Sequence, residues 1–292
     1  MHKKRLTAVH HSIIPLFHYS PAVGGGFVPV TILFIGDIIG KPGRRVVREL
    51  LPGLVNRYQV DLVVANGENA SGGIGLAVKG AEELFASGVQ VLTSGNHIWK
   101  KKEIYPYIRE NPDLIRPLNY PEGTPGAGSV IKETASGVPV AILNLMGRVF
   151  MEAVDCPFQT VIKELDRLRA FTPLILVDFH AEATSEKVAM GWWLDGKVSA
   201  LLGTHTHIQT SDERILPLGT AYLTDAGMTG PADSVIGVKK EIALDRFLTQ
   251  MPHKFEVAKR DLGLEGAVVS IDSETGKAVA ITRIREKCSA ES

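Results

Sequence analysis

The segment GTHTHIQT, residues 203–210, places two histidines on either side of one threonine, directly after the apolar run KVSALL. In extended backbone, side chains two positions apart point to the same face of a strand. His205 and His207 are therefore predicted to aim at one point beyond a strand end, while Thr206 faces the other way and packs. Two imidazoles that converge in this way indicate a binding site.

Polar side chains follow four other apolar runs, in FIGDIIG, NGENASGG, SGNHIWK and VDFHAE. Each residue alone has a structural explanation: Asp37 could cap a turn, and Asn96 could form an Asx turn. Glu68 is harder to explain in this way, because a carboxylate directly after a buried strand either meets a cation or destabilises the fold. A shared site explains five such strand ends better than independent structural roles do. The candidates are Asp37, Glu68, Asn69, Asn96, His97, Asp178, His180, His205 and His207.

A cluster of imidazole, carboxylate and amide groups without thiolate suits divalent iron, manganese or zinc. One tetrahedral ion would not use all the predicted ligands, whereas two ions about 3.5–4 Å apart, bridged by one carboxylate, would use them all. Such a pair clamps a phosphate and makes hydroxide available near neutral pH. His97 is then free to act as an acid. The predicted ligands are Asp37, Glu68, Asn69, Asn96, His180, His205 and His207.

Three other catalytic motifs do not fit the sequence. GDIIGKPG has one residue too few between its glycines for a phosphate-binding loop, and it has proline where the magnesium-binding hydroxyl belongs. SGGIGL lacks the glycine spacing of a dinucleotide-binding fingerprint. A Ser/His/Asp triad would need a nucleophile elbow, and no such segment is present.

Short Val/Ile/Leu-rich runs alternate with helical patterns from residue 29 onward. The runs VPVTILFIG, VDLVVANG, VQVLTSG, VPVAILNLMG and PLILVDFH read as buried strands. Apolar residues at helical spacing predict helices over 44–59, 78–88 and 155–170, and another that begins near Thr184. The alternation predicts a layered α/β fold with a largely parallel or mixed sheet. Since no linker or composition break interrupts it, we expect residues 29–292 to form a single domain.

The amino-acid composition limits the kinds of partner that the protein can bind and indicates its cellular compartment. The chain has 32 basic and 32 acidic residues, which argues against bulk binding of nucleic acid or anionic lipid. Cys156 and Cys288 show no pairing pattern, and no apolar run approaches the roughly 20 residues that span a bilayer. We expect a cytoplasmic protein with no membrane segment. Residues 1–28 are predicted to be a disordered extension, so its histidines are discounted as ligands.

The order of the motifs GD, GEN, GNH, a middle histidine and GTHTH resembles the calcineurin-like metallophosphoesterases. FIGDIIGKPGRR, NGENASGGIG, SGNHIWKKKEI, NLMGRVF, DFHAEATSEK and TDAGMTGP are similar to the YmdB-like bacterial branch, over about residues 30–285. The first motif lacks the Asp-x-His usual in the superfamily. Glu68 stands where most of its members have a bridging aspartate. Both departures are shared by the YmdB-like branch.

The resemblance implies a sandwich of two mixed β-sheets flanked by helices. It also implies that Glu68 bridges two divalent ions, iron or manganese with zinc as an alternative, and that His97 protonates the leaving oxygen. One ion would be held by Asp37, Glu68, Asn69 and His207, and the other by Glu68, Asn96, His180 and His205.

The predicted function is hydrolysis of a small-molecule phosphodiester, a 2′,3′- or 3′,5′-cyclic nucleotide, through attack by a metal-bridging hydroxide. Three alternatives stay open: a phosphomonoesterase or protein phosphatase, an amidohydrolase barrel, and a regulatory protein whose metal site serves partner binding. The barrel fits less well, because its His-x-His pair belongs to the first strand. Arg148 could reach the substrate phosphate or could be a structural residue of an exposed loop. Asp178 could orient a ligand or accept a hydrogen bond at a strand end. A homo-oligomer is compatible with the sequence.

Overall fold

The computed structural model describes residues 29–288, and the predicted extension at 1–28 lies outside this range. The strands are β1 (Pro29–Ile35), β2 (Asp37–Ile38), β3 (Leu62–Asn66), β4 (Val91–Thr93), β5 (Ser129–Glu133), β6 (Pro139–Met146), β7 (Ile175–His180), β8 (Ala200–Thr204), β9 (Arg214–Ile215), β10 (Ala221–Leu223), β11 (Met228–Pro231), β12 (Leu262–Asp272) and β13 (Ala278–Lys287). The α-helices are α1 (Gly40–Tyr58), α2 (Val78–Ala86), α3 (Ile104–Glu110), α4 (Pro157–Arg169), α5 (Thr184–Leu194) and α6 (Lys240–Thr249). A short 3₁₀ helix spans Ile98–Lys100.

The strands form two mixed sheets. The first has seven strands in the order β2, β11, β12, β1, β3, β4, and β13 pairs with β12. In it, β1 runs parallel to β3 and antiparallel to β12. The second has six strands in the order β5, β6, β7, β8, β10, β9, of which β6, β7, β8 and β10 are mutually parallel. The predicted α/β class with mixed sheets is confirmed.

Apolar residues bury both faces of each sheet. Ile32 and Phe34 of β1 pack in a cluster with Ile142 of β6 and Leu202 of β8, so this cluster is shared by the two sheets. Leu33, between them, belongs to a second cluster with residues of α1, α2 and α3. A third cluster joins α4 and α5 to the second sheet. A strand with two buried faces needs apolar residues at successive positions, which explains the continuous apolar run from Ile32 to Ile35 in β1.

The predicted helices are present, with differences at their ends. The first helix begins at Gly40, four residues before the predicted start at residue 44. The earlier start was not predicted because the N-cap residue, Ile39, has no side chain that could form a capping hydrogen bond. Pro157 lies in the first turn of α4. Within residues 29–288, no helix is long and apolar enough to cross a membrane.

Candidate metal centre

The carboxyl ends of four strands, two from each sheet, meet at one place. β3 and β4 end at Asn66 and Thr93, and β7 and β8 end at His180 and Thr204. Buried hydrogen bonds join the two sheets here: Nδ2 of Asn66 and Oγ1 of Thr93 donate to Oδ2 of Asp178, at 2.9 and 2.5 Å. Because parallel strands present their following residues at the same edge, the predicted side chains are brought together at this place.

Glu68 lies at the centre of the cluster and is fully buried. Its Oε2 is 3.3 Å from Nε2 of His180 and accepts the backbone N–H of His97 at 3.0 Å. Its Oε1 accepts a hydrogen bond from Nδ2 of Asn69 at 2.8 Å. A Cβ at Gly95 would lie 2.3 Å from His180 and 2.4 Å from this carboxylate, so a larger residue there would displace the cluster. The two oxygens of Glu68 face different neighbours, which suits a bridging ligand.

His180, His205 and Asn96 form one group around Glu68. Nε2 of His180 lies 3.0 Å from Nδ1 of His205 and 3.1 Å from Oδ1 of Asn96. The ligand atoms of Glu68, His180 and His205 all lie within 4.8 Å of one another. The structure thus gathers the residues predicted to hold one of the two ions.

Asp37, Asn69 and His207 form the other group. Nε2 of His207 lies 3.8 Å from Oδ1 of Asp37 and 3.4 Å from Nδ2 of Asn69. Asn69 presents its Nδ2, and not its Oδ1, to this group, so its predicted role as a ligand requires rotation of the amide. The predicted residues lie together, and this one side chain is turned the wrong way for ligation.

The Asp37 carboxylate is buried, and only one of its two oxygens accepts a hydrogen bond. Its Oδ2 accepts the backbone N–H of His205 at 3.1 Å, whereas its Oδ1 has no hydrogen-bond partner. A buried carboxylate oxygen without a donor is costly unless a cation lies beside it. The oxygen and nitrogen donors around it are those that divalent iron, manganese and zinc accept. These residues therefore fit a divalent metal ion.

Burial and opposite charges set the protonation of the cluster. Burial raises the pKa of Asp37 above its ordinary value. Burial disfavours a charged His180, but the charge and hydrogen bond of Glu68, with the charges of Asp37 and Asp178, together outweigh it and raise the pKa of His180 to about 9. Burial also disfavours a charged Glu68, yet the charge and hydrogen bond of His180 hold the pKa of Glu68 well below its ordinary value. Burial and the charge of His180 lower the pKa of His205 to about 3. A cation that used His180 as a ligand would have to displace its proton.

His97 borders the cluster and is partly open to solvent, with 25% of its side chain exposed. Its Nδ1 lies 2.8 Å from Oδ1 of Asn69 and 3.2 Å from Oε1 of Glu68. With Nδ1 held in this way, Nε2 is the nitrogen that can reach a substrate. The position suits the acid role predicted for this residue.

The expectation that His205 and His207 lie on extended backbone is wrong. β8 ends at Thr204, and the two histidines have left-handed backbone, with φ of 99° and 65°. Histidine tolerates this region better than branched residues do. These turns direct His205 toward His180 and His207 toward Asp37, so the two imidazoles join different groups.

Thr206, predicted to be a packing residue, also forms hydrogen bonds with a buried carboxylate. Its N–H and Oγ1 donate to Oδ2 of Asp225, at 3.2 and 2.7 Å. Nζ of Lys187, on α5, donates to the same oxygen at 2.7 Å, and both charged side chains are buried. The sequence interpretation missed Asp225, although it follows the apolar strand β10 as Glu68 follows β3. The same signal could have identified it.

Two residues left open by the sequence have defined positions. Oδ1 of Asp178 accepts Oγ1–H of Thr204 at 2.7 Å, and the same Oγ1 lies 2.9 Å from Nδ1 of His180. Asp178 is thus connected to the predicted ligand His180 through the hydroxyl group of Thr204. Arg148 is exposed, and its backbone N–H donates to the buried Glu186.

Comparison with known proteins shows the same architecture elsewhere. A hypothetical protein from Thermus thermophilus superposes with a TM-score of 0.83 at 43% identity, over 88% of this chain and 99% of that one. A structure described as a novel phosphatase from Mycoplasma pneumoniae gives a TM-score of 0.84 at 36% identity, over 89% and 94% of the two chains.

Comparison of amino-acid sequences also finds related proteins. The 2′,3′-cyclic-nucleotide 2′-phosphodiesterase of Bacillus subtilis (strain 168) is 49% identical over 253 residues, 87% of this chain and 96% of the relative. A putative phosphatase/phosphodiesterase of Mycoplasma pneumoniae is 39% identical over 88% of this chain and 92% of the relative. The family description YmdB-like protein matches residues 33–284.

The fold and the cluster define the class as the metallophosphoesterase-like hydrolases. Within that class, the chain belongs to the YmdB-like family, as its motifs predicted.

Proposed function

We propose that the protein is a metal-dependent phosphodiesterase that hydrolyses nucleoside 2′,3′-cyclic phosphates. The expected enzyme class, phosphodiesterase, agrees with the names of its relatives, and the Bacillus subtilis relative is named for 2′,3′-cyclic nucleotides. The observation that carries metal dependence is the unpartnered Oδ1 of Asp37, buried beside His207 and His180. The imidazole nitrogens of His180 and His207 lie 4.0 and 3.8 Å from this oxygen and donate no hydrogen bond to it. A bound metal cation would compensate the buried negative charge.

Two groups of residues would hold two divalent ions, iron or manganese with zinc as the alternative. Support comes from the side-chain contacts, which place His205 against His180 and His207 against Asp37. Glu68 contacts His180 through one carboxylate oxygen and Asn69 through the other. The proposed ligands of one ion are Asp37, Glu68, Asn69 and His207, and those of the other are Glu68, Asn96, His180 and His205.

When bound, the ions would clamp the phosphate and lower the pKa of a water molecule. The chain's own residues complete the chemistry. Glu68, held by the backbone N–H of His97 and by His180, keeps the two groups in a fixed relation. His97, whose Nδ1 lies 3.2 Å from Oε1 of Glu68, would donate a proton from Nε2 to the departing ribose oxygen. A proton donor at this point makes the alkoxide a better leaving group.

We also propose that residues 29–292 form one domain in which the two sheets stack as a layered sandwich flanked by helices. The apolar cluster shared by both sheets supports this arrangement. A cytoplasmic location, the absence of bulk nucleic-acid binding and the oligomeric state stay predictions.

The test is to purify the full chain, measure its metals by mass spectrometry, and assay four phosphates after loading with manganese or iron. The substrates are adenosine 2′,3′-cyclic phosphate, adenosine 3′,5′-cyclic phosphate, bis-4-nitrophenyl phosphate and 4-nitrophenyl phosphate. We expect the highest kcat/KM for the 2′,3′-cyclic nucleotide, and no turnover after chelation. Preference for the monoester would make the protein a phosphomonoesterase. A metal-free, inert protein would instead favour the regulatory alternative.

A further inference from the structure

An apolar cavity of about 280 Å³ lies beside the candidate metal centre. Ile39, on one side of it, follows Asp37 by two positions, and Gly72 follows Asn69 by three. Ile236, also in the lining, accepts a hydrogen bond from His207, so the cavity lies next to the group of Asp37, Asn69 and His207. Its apolar side chains are Ile39, Ile74, Ile236, Val238, Phe255 and Val257.

Ile236 connects this cavity to the cluster. Its carbonyl oxygen accepts a hydrogen bond from Nδ1 of His207 at 3.1 Å. Its side chain lines the cavity and remains 48% exposed. A group bound in the cavity would therefore contact a residue that directly holds a predicted metal ligand.

The backbone at Ile236 is one that isoleucine disfavours. Val235 and Val238 pair through two backbone hydrogen bonds, of 2.9 and 3.0 Å, and the residues between them, Ile236 and Gly237, have φ of 45° and 97°. A tight turn with two positive φ values favours Asn-Gly, because a β-branched side chain clashes with its own backbone there. Strained residues of this kind concentrate at ligand-binding positions. The strain indicates that the isoleucine side chain has a role outside folding.

We propose that this cavity binds the base of a nucleoside 2′,3′-cyclic phosphate, with Ile236 and Phe255 as its contact residues. This inference rests on the proposed function, which places the cyclic phosphate at the neighbouring metal centre. A flat base with apolar faces matches a slot of aliphatic side chains and one aromatic ring. The lining has one lysine, Lys101, and one glutamate, Glu256, and the glutamate forms an ion pair with Lys239 outside the lining. The remaining side chains of the lining are apolar, which favours the base over a second phosphate.

The first test uses Ile236→Asn, which suits the turn but removes the apolar side chain. The metal-loaded variant is compared with the unsubstituted protein on adenosine 2′,3′-cyclic phosphate and on methyl ribofuranoside 2′,3′-cyclic phosphate, which has no base. We expect KM for the nucleotide to rise about tenfold while KM for the base-free ester stays the same. We also expect an equal or higher melting temperature, because the backbone strain is relieved.

A second variant, Phe255→Ala, tests the aromatic contact, and Phe247→Ala on the exposed face of α6 is its matched control. Selective loss of the nucleotide in Phe255→Ala, with the control unaffected, supports the proposal. Equal effects on both esters in Ile236→Asn and in Phe255→Ala, or no effect on either ester, would overturn it.

Equilibrium binding separates this inference from the proposed function. If the unsubstituted protein hydrolyses neither ester, the proposed function fails, and calorimetry with adenosine 3′-phosphate and ribose 3-phosphate decides the role of the cavity. Tighter binding of the adenosine compound that is lost in Ile236→Asn supports base binding. Equal binding of the two compounds refutes it.

Discussion

Oγ1 of Thr204 lies 2.9 Å from Nδ1 of His180, in the buried contact between two parallel strands. The hydroxyl donates its proton to Asp178, so it must accept one from His180. A neutral His180 then carries its free electron pair on Nε2, the nitrogen that faces Glu68 and His205. Asp178 therefore acts on the cluster through Thr204, by selecting the ring form that can ligate a cation.

Thr204→Val, which keeps the side-chain shape and removes the hydroxyl, should weaken metal binding about 10–100-fold. The reason is that His180 loses the acceptor that holds its proton on Nδ1. Competitive titration against a fluorescent chelator measures the affinity. Thr249→Val on exposed α6 is the matched control and should bind metal normally. Unchanged affinity in Thr204→Val would remove this role for the hydroxyl.

Glu68→Gln should lose one or both metal ions, because the amide keeps the size of the carboxylate but not its charge or its two acceptor oxygens. Mass spectrometry of the purified variant gives the metal content per chain. Glu82→Gln, an exposed position on α2, should retain the full content. Two ions per chain with normal activity in Glu68→Gln would contradict the bridging assignment.

His97→Ala should reduce turnover of adenosine 2′,3′-cyclic phosphate about 10²–10⁴-fold with little change in metal content. A poor leaving group such as a ribose oxygen needs a proton donor, whereas 4-nitrophenolate does not. The defect should therefore shrink on bis-4-nitrophenyl phosphate, and parallel assays of the two substrates give the ratio. An equal defect on both would argue for a structural role of His97.

Asp37→Asn should stabilise the metal-free protein and should reduce the further stabilisation that bound metal provides. In the metal-free protein, the substitution removes a buried charge whose Oδ1 lacks a donor, so the metal-free variant should melt at a higher temperature. Saturating metal should raise the melting temperature of the unsubstituted protein by about 5–10 °C and that of the variant by much less. Calorimetry with and without chelator measures both shifts. An equal shift in the two proteins would show that Asp37 does not contact the cation.

Asp225→Ala should lower the free energy of unfolding by about 3–5 kcal/mol, because it leaves Lys187 buried without its partner. The double variant with Asp225→Asn and Lys187→Met has neither charge, and its free energy of unfolding should be higher than that of Asp225→Ala. Urea titration measures each variant. The exposed pair of Lys240 and Asp233 is the control, and Asp233→Ala should change the free energy of unfolding far less. A small effect at Asp225 would mean that water reaches Lys187.

The alternation of strands and helices was predictable because its signals are local. In β1, residues Ile32 to Ile35 form a continuous apolar run because both faces of the strand are buried there. Glu68 stands out because a carboxylate follows a buried strand. The start of α1 was not predictable, because Ile39 makes no side-chain hydrogen bond at that end. Local signals therefore located elements better than their boundaries.

The amino-acid sequence by itself determined the residue types at the strand ends, and with them the class of ligand that the site can hold. The resemblance of the motifs implied how those residues divide, but only the tertiary structure shows what turns the two imidazoles apart. His205 turns to His180 and His207 to Asp37 because both have left-handed backbone and because Asp225, from a separate strand connection, holds the threonine between them. Such an arrangement depends on hydrogen bonds between segments far apart in the chain, which no local pattern encodes.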